Sequence, residues 1–388
     1  MKITEEYSSF ENFFENTDSK TRDLVFYSEK AIYYNYFESF IDYILNNSDL
    51  EFCYVSSDPD DPIFEKRNNR IKVFYIDKLL VTFMSQIDSK LVIMTMPDLN
   101  QFHIKRSKTS KEVNYLYIFH AIVSSHMIYR KGAFDHYDTI FCVGPHHLEE
   151  IRKTEELYRL HSKELVKTGY PIVRRFYDDH QNYLKELTVS SEEKKSVLVA
   201  PSWGKKNIIE ICIRDLAYTL LSSGYHVIIR PHPHFINTKK RAIKKLLAEF
   251  KDNKNVEIEL DLSSYKSMHR ADILITDWSG IAFEYAFSTE RPVLFINTPM
   301  KINNPEYKKL GIEPLEVKSR NCIGASINIS EIGKVGTIVA DLIEKKAEYK
   351  TILTEYRKKS LFNWNNAGKY GGEYIIEFLT RTGRNPKI

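Results

Sequence analysis

The sequence predicts an α/β protein of two units, each a doubly wound parallel sheet covered on both faces by helices. Three observations carry this. Short apolar runs alternate with amphipathic stretches along nearly the whole chain. The runs are continuously apolar rather than alternating in and out, as strands buried on both faces require. A chain of 388 residues suits two domains, or one large α/β domain, better than one ordinary core.

In the first half the strand candidates are "DLVFYS" (23–28), "EFCYVS" (51–56), "IKVFYI" (71–76), "KLVIMT" (90–95), "YLYIFH" (115–120), "TIFCVG" (139–144) and "ELVKTG" (164–169). Helices fit between most of them. The hydrophilic "VSSEEKKS" (189–196) reads as a linker. "SVLVAP" (196–201) opens the second half. A single helix is expected next, since Ile209, Cys212, Ile213, Leu216, Ala217, Leu220 and Leu221 fall at i, i+3, i+4, i+7, i+8, i+11 and i+12. Gly224 ends it. "YHVIIRP" (225–231), "NVEIEL" (255–260), "DILIT" (272–276) and "PVLFIN" (292–297) continue the strand series. One intervening helix sets Ile243, Leu246, Leu247 and Phe250 on a common face, and Ile332, Val335, Ile338, Val339 and Leu342 form a later stripe. The expected domains are 1–188 and 189–360, with 361–388 a terminal helix crossing back to the first domain.

Composition bounds the function. The chain is 43% hydrophobic and 28% charged, ordinary for a soluble globular protein. A net charge of +4 is spread along it, which gives no case for nucleic acid. Cys53, Cys142, Cys212 and Cys322 contain no CxxC pair, so no thiolate metal site is expected, and the first three sit in apolar runs as small buried thiols. The acidic start "MKITEEYSSFENFFEN" lacks the apolar core of a signal peptide, and no uncharged apolar run approaches the roughly 20 residues that span a bilayer. A cytoplasmic protein is expected, with contact at the inner face of the membrane left open.

The informative motifs end strands, where open parallel sheets bind ligands. "ITDWSGIAFEYAF" (275–287) turns at Ser279-Gly280 into an apolar helix, and the stretch carries Asp277 and Glu284, two carboxylates that either protein groups or a bound substrate must satisfy. Ser279 or Asp277 can cap that helix, and the amides around Ser279, Gly280 and Ile281 can hold an anion. Gly280 allows close approach of a phosphate. Glu284, about one turn on, can accept ribose hydroxyls; the alternative is a capped helix whose Glu284 pairs with Arg291. "IIRPHPHF" (228–235) puts Arg230 and His232 on a Pro-stiffened loop, where both can donate to phosphate, His232 best when protonated. His232 and His234 without acidic or Cys company make a poor metal site. "VAPSWG" (199–204) offers Ser202, with Lys205 and Lys206 close by; a plain loop cap is the alternative. "YIFHAIVSSH" offers His120 as a general base between a strand and an expected helix, against the alternative of a satisfied buried histidine; His126 is expected on the helix surface. "HIKRSKTSK" (103–111) is a basic loop that could meet an anionic acceptor or an acidic membrane surface. No GxGxxG follows a strand, and neither GxxxxGK[ST] nor GxSxG occurs.

The series "APSW", "RPHP", "ADILITDWSGIAFEYAF" and "RPVLF", in this order and spacing, resembles the CDP-glycerol glycerophosphotransferases, which include teichoic acid primases and polymerases and related capsule enzymes. The resemblance is specific over 197–297, weaker over 113–170 and not visible over the first hundred residues. It implies a glycosyltransferase-B fold, two domains facing across a cleft with the CDP-alditol on the second. It implies that His232 contacts the pyrophosphate, Ser279 and nearby amides the phosphates, and Glu284 the ribose, with His120 the base, and that neither a metal nor a cofactor is needed. The implied partners are a CDP-alditol donor and a glycan or lipid-linked glycan acceptor. Three departures stand out: Gly280 where many relatives have a second Ser, Ala121 in place of Gly, and no clear match for a downstream lysine, Arg130 and Lys131 being offset. The expected activity is transfer of an alditol phosphate, most simply glycerol phosphate, to a hydroxyl of a surface-glycan intermediate with release of CMP. Alternatives are a transferase using another nucleotide sugar, CMP- or UDP-linked, and a non-catalytic nucleotide-sugar-binding partner.

Overall fold

The computed structural model describes residues 3–187, 194–261 and 264–383. The segment 189–193 of the expected linker lies outside them. Seven strands, β1 (Leu24–Ser28), β2 (Phe52–Ser56), β3 (Ile71–Tyr75), β4 (Leu91–Met94), β5 (Asn114–Ile118), β6 (Thr139–Cys142) and β7 (Glu164–Lys167), form one parallel sheet in the order β3-β2-β1-β4-β5-β6-β7. A second parallel sheet joins β8 (Ser196–Val199), β9 (His226–Ile229), β10 (Val256–Ile258), β11 (Ile273–Thr276), β12 (Val293–Asn297) and β13 (Gly324–Asn328) in the order β10-β9-β8-β11-β12-β13. Every expected strand is present. Each sheet reverses its winding once, at β1/β4 and at β8/β11, where successive connections leave on opposite faces and open a crevice at the carboxyl ends.

Strand β13 was not expected. "GASIN" is short, half-buried and at the edge of the sheet, so it lacks the apolar run that marks its neighbours. The single helix expected after β8 is two, Ile208–Ile211 and Ile213–Ser222, because Cys212 breaks the geometry with φ −145° and ψ 7°. The apolar phase survives the break, and Gly224 follows at φ +86°. Leu247, placed on an inner face by its spacing, is exposed, whereas Ile243, Leu246 and Phe250 are buried.

The two sheets are joined by apolar packing. The Pro171–Glu186 helix lies against the Ile281–Thr289 helix, and Phe176 meets Tyr265 with ring centroids 4.3 Å apart. Beyond the Lys346–Ser360 helix the chain returns to the first sheet: the Phe362 N–H donates to the Val143 carbonyl (2.9 Å) and Asn363 Nδ2 to the Lys167 carbonyl (2.6 Å). Buried Arg357 holds Glu290 at 2.9 Å and lies over Trp364 at 4.0 Å. The Ala367–Gly383 helix then packs on Tyr34–Asn47. Its approach requires Gly371, where any side chain would collide with the Phe40 ring.

Candidate active site

At the β8/β11 switch point, Asp277 is almost wholly buried. Its Oδ1 accepts from the Ser202 and Trp278 amides, both at 2.7 Å, and its Oδ2 from the Ile208 amide at 3.2 Å. Three backbone donors satisfy the carboxylate, so a direct substrate role for Asp277 gives way to that of a brace tying the loop after β8 to the end of β11. Ser202 is buried in that loop, its carbonyl accepting from Asn207 Nδ2 at 2.9 Å. Behind the brace, Arg320 donates to the Asp277 carbonyl at 3.0 Å and covers the Trp278 ring at 4.1 Å.

The Ile281–Thr289 helix starts at Gly280, with no side-chain cap from Ser279 or Asp277, contrary to the expected capping. The first amides of a helix have no partner within it, so this N-terminus is open to an anion. Gly280 also serves the domain contact. A methyl group there would come within 3.2 Å of Ala121 Cβ and of Val123 Cγ1. Two of the departures from the family pattern, Ala121 and Gly280, therefore touch each other across the cleft.

Glu284 does not pair with Arg291, which donates to the His269 and Ala271 carbonyls. Its Oε1 accepts from the Tyr170 hydroxyl of the first domain at 2.7 Å. Burial raises its pKa, and Tyr170 and Arg230 pull the other way. Among the described residues no hydrogen bond reaches Oε2, which leaves an acceptor in the cleft. Arg230 is buried and held by Glu259 at 2.8 Å and the Ser264 carbonyl at 2.7 Å, beside the Tyr265 ring. Its guanidinium acts on Glu284 through its charge.

His232 caps the Pro233–Thr238 helix, its Nδ1 accepting from the His234 amide at 3.1 Å. That bond puts the ring proton on Nε2. Burial, then Lys301, His234 and His120, push its pKa down to about 3. His232 is thus a neutral Nε2–H donor, where the sequence reading favoured the protonated form.

His120 follows β5, ringed by Tyr33 (5.3 Å between centroids), Tyr36 (6.2 Å) and Tyr129 (6.2 Å). Its buried Nδ1 makes no hydrogen bond of ordinary geometry among the described residues. Burial and the Lys301 charge lower its pKa to about 4, partly offset by the Thr95 backbone. No helix follows it. Residues 120–131 form bends and turns, pinned by carboxylates from elsewhere. Glu316 Oε1 accepts the Ser124 amide at 2.8 Å, and Glu150 Oε2 accepts the Ser125 amide at 2.6 Å. His126, expected on a helix surface, is buried with Nδ1 at 3.3 Å from Glu150.

Lys301, in the loop after β12, was missed by the sequence reading. Its Nζ lies 3.9 Å from the centre of the Trp203 ring, and its charge acts on both His120 and His232. Lys131 pairs with Glu306 at 3.0 Å and Arg130 lies over Phe102 at 5.2 Å, so both are engaged elsewhere. In the basic loop, Arg106 is tied to Asp138 at 2.8 Å. Among the described residues no cluster of three or more His, Cys, Asp or Glu could hold a metal ion, and no helix is long and apolar enough to cross a membrane.

The site thus brings His120, His232, Ser279, Gly280 and Glu284 to one cleft. A sequence model of the CDP-Glycerol:Poly(glycerophosphate) glycerophosphotransferase family matches residues 12–302. The chain belongs to this family. The match reaches into the first hundred residues, where the sequence reading saw no likeness, because that region carries buried strands rather than motif residues. By sequence, the chain is similar to a teichoic acid glycerol-phosphate primase of Bacillus subtilis (strain 168), 24% identical over 193 residues, 49% of this chain and 48% of the relative. A teichoic acid poly(glycerol phosphate) polymerase of Bacillus spizizenii is 27% identical over 147 residues, 34% of this chain and 35% of the relative. The matched stretch thus spans about half or less of these relatives. In fold, the chain is similar to the wall teichoic acid polymerase TagF, seen in a structure soaked with CDPG (TM-score 0.60, 14% identity, 98% of this chain and 94% of the other). It is equally similar to the UDP-GlcNAc 2-epimerase of Methanocaldococcus jannaschii in complex with UDP-GlcNAc and UDP (TM-score 0.60, 13% identity, 92% and 99%). The architecture is the glycosyltransferase-B fold.

Proposed function

We propose that the protein transfers glycerol phosphate from CDP-glycerol to a hydroxyl of a wall-glycan or other surface-glycan intermediate, releasing CMP. The observation that carries this reading is a pair of neutral histidines, one after β5 of the first sheet and one after β9 of the second, close enough for His120 to act on the His232 pKa. His120 has a buried, unengaged Nδ1, and His232 has a fixed Nε2–H donor. Family membership supplies the donor class.

On this reading the open N-terminus at Ser279-Gly280-Ile281 and His232 take the diphosphate, and Glu284 Oε2 accepts a ribose hydroxyl. His120 takes the proton of the acceptor hydroxyl as its oxygen attacks the β-phosphorus. The bond from that phosphorus to the bridging oxygen breaks, and the electron pair leaves on CMP. The helix amides and the His232 donor stabilise the charge that develops. A chemistry free of metal and cofactor, a lipid-linked acceptor and action at the inner membrane face belong to the same proposal. The test is CMP release from CDP-glycerol with an acceptor panel. His120→Ala is expected to lower the rate at least a hundredfold while leaving CDP affinity within about threefold. Full activity in that variant removes His120 from the mechanism. Binding of UDP or CMP sugars in preference to CDP-glycerol would favour another nucleotide-sugar donor, and binding without turnover the non-catalytic role.

A further inference from the structure

Lys301 is a cation of the cleft that the proposed chemistry has not used, and unlike Arg230 it has no ion-pair partner among the described residues. Lys301 stands on the Trp203 ring, with its stem against Gly204. Among the described residues no carboxylate lies within ion-pair distance of its Nζ. Asp277 and Glu316 both favour the ammonium through their fields without pairing with it: Asp277 is held by three amides, and Glu316 accepts the Ser124 amide on Oε1 while its Oε2 makes no hydrogen bond among the described residues. An ammonium withdrawn from water without a counter-ion is costly, and an arriving anion offsets that cost. The Trp203 ring beneath it lies 6.4 Å from the His232 ring, and the ammonium's charge pushes both His232, from the second sheet, and His120, from the first, toward neutrality. The missing partner is therefore an anion lying between the two histidines.

We propose that Lys301 binds the diphosphate of the donor and, once neutralised there, frees His120 to accept the proton of the acceptor hydroxyl. The inference rests on the donor reading above and extends it to the order of events. His120 is packed against the Tyr33, Tyr36 and Tyr129 rings and the Thr95 backbone, is coupled through charge to Lys301, and itself acts on neutral His232. The lysine is the only fixed charge among these groups, and it opposes protonation. A bound diphosphate reverses the sign of the local field, so the imidazole becomes a competent base only with the donor in place. The acceptor oxygen then bonds to the β-phosphorus as its proton passes to His120. The bridging oxygen departs on CMP, with the ammonium beside the charge it gains. Burial also lowers the Lys301 pKa to about 8, which leaves the group mostly charged at neutral pH.

The experiment titrates wild type, Lys301→Met, Lys301→Gln and Lys301→Arg with CDP and with inorganic pyrophosphate by calorimetry. The His120 ring is followed by NMR against pH, with and without CDP. Met keeps the packing on Trp203; Gln serves if Met misfolds. Met and Gln are expected to weaken both ligands roughly 10- to 100-fold, as for a lost charge-assisted contact, with Arg within a few fold of wild type. In wild type, CDP should raise the His120 titration midpoint by more than one pH unit. In Lys301→Met the ligand-free midpoint should already be raised. Folded Met and Gln variants that bind CDP as wild type does would overturn the role of Lys301 and leave the donor reading standing. A wild type that binds neither CDP nor pyrophosphate would overturn the donor reading itself. A His120 midpoint indifferent to CDP in wild type would overturn the coupling alone.

Discussion

A single methyl group decides how closely residues 121 and 280 can approach. Ala121 carries it and Gly280 lacks it, and the two face each other at the mouth of the cleft. Side chains at both positions would force the walls apart, since packed interfaces yield only a few tenths of an ångström. Gly280→Ser should therefore lower stability by about 1–3 kcal/mol, and adding Ala121→Gly should recover part of that loss. Urea unfolding of the two single variants and the double variant checks this; strictly additive effects would show that the contact is not shared. The two acids of "ITDWSGIAFEYAF" mark the limit of reading at this scale. Both stood out in the sequence as carboxylates among apolar neighbours. Which one meets protein and which one faces the cleft depended on Ser202, Ile208 and Tyr170, up to 114 positions away in sequence. Lys301 gave no signal at all, because a lysine in "TPMKINN" looks like any surface lysine until Trp203 is placed under it.

Among elements, strands were legible because burial on both faces writes an apolar run into the sequence, as in "DILIT" and "PVLFIN". The edge strand Gly324–Asn328 and the break at Cys212 were not, since each is settled by its neighbours rather than by its own residues. The turns after His120 were misread as a helix because their fixing groups, Glu150 and Glu316, come from other elements. Asp277 plays the same part for the loop after β8. Asp277→Asn would turn one acceptor oxygen into a donor facing backbone N–H groups. The expected cost is about 1–3 kcal/mol in chemical denaturation, with faster amide exchange at Ser202 and Ile208. Unchanged exchange at those two amides would mean the brace is dispensable.

For the whole molecule, buried titratable groups set the response to pH. His120 and His147 are lowered to about 4, and His180 and His232 to about 3, in each case first by burial. The unfolded chain therefore binds more protons than the folded one below pH about 6.5, and stability falls as acid is added through that window. Glu316 works in the opposite sense. Burial raises its pKa to about 7, so the folded state holds a proton that the unfolded state has released. Its contribution is complete below pH about 4.5 and is lost as pH rises to about 7. Glu316→Gln keeps an acceptor for the Ser124 amide and removes the titration. Its stability relative to wild type should therefore be about 2–3 kcal/mol more favourable at pH 8 than at pH 5, read from denaturant midpoints. A difference that does not change with pH would mean that Glu316 stays ionised throughout.

The return of the chain to the first sheet has a mechanical consequence. The Ile3–Glu15 helix and the Ala367–Gly383 helix both rest on the first domain, so the second domain is a guest loop of the first, attached at two points. A domain on one tether can drift and tumble. One on two tethers, the second stitched down by Phe362 and Asn363, keeps far fewer of those freedoms. The Tyr170–Glu284 hydrogen bond across the two domains, 2.7 Å long, is thereby held from both ends of the inserted domain.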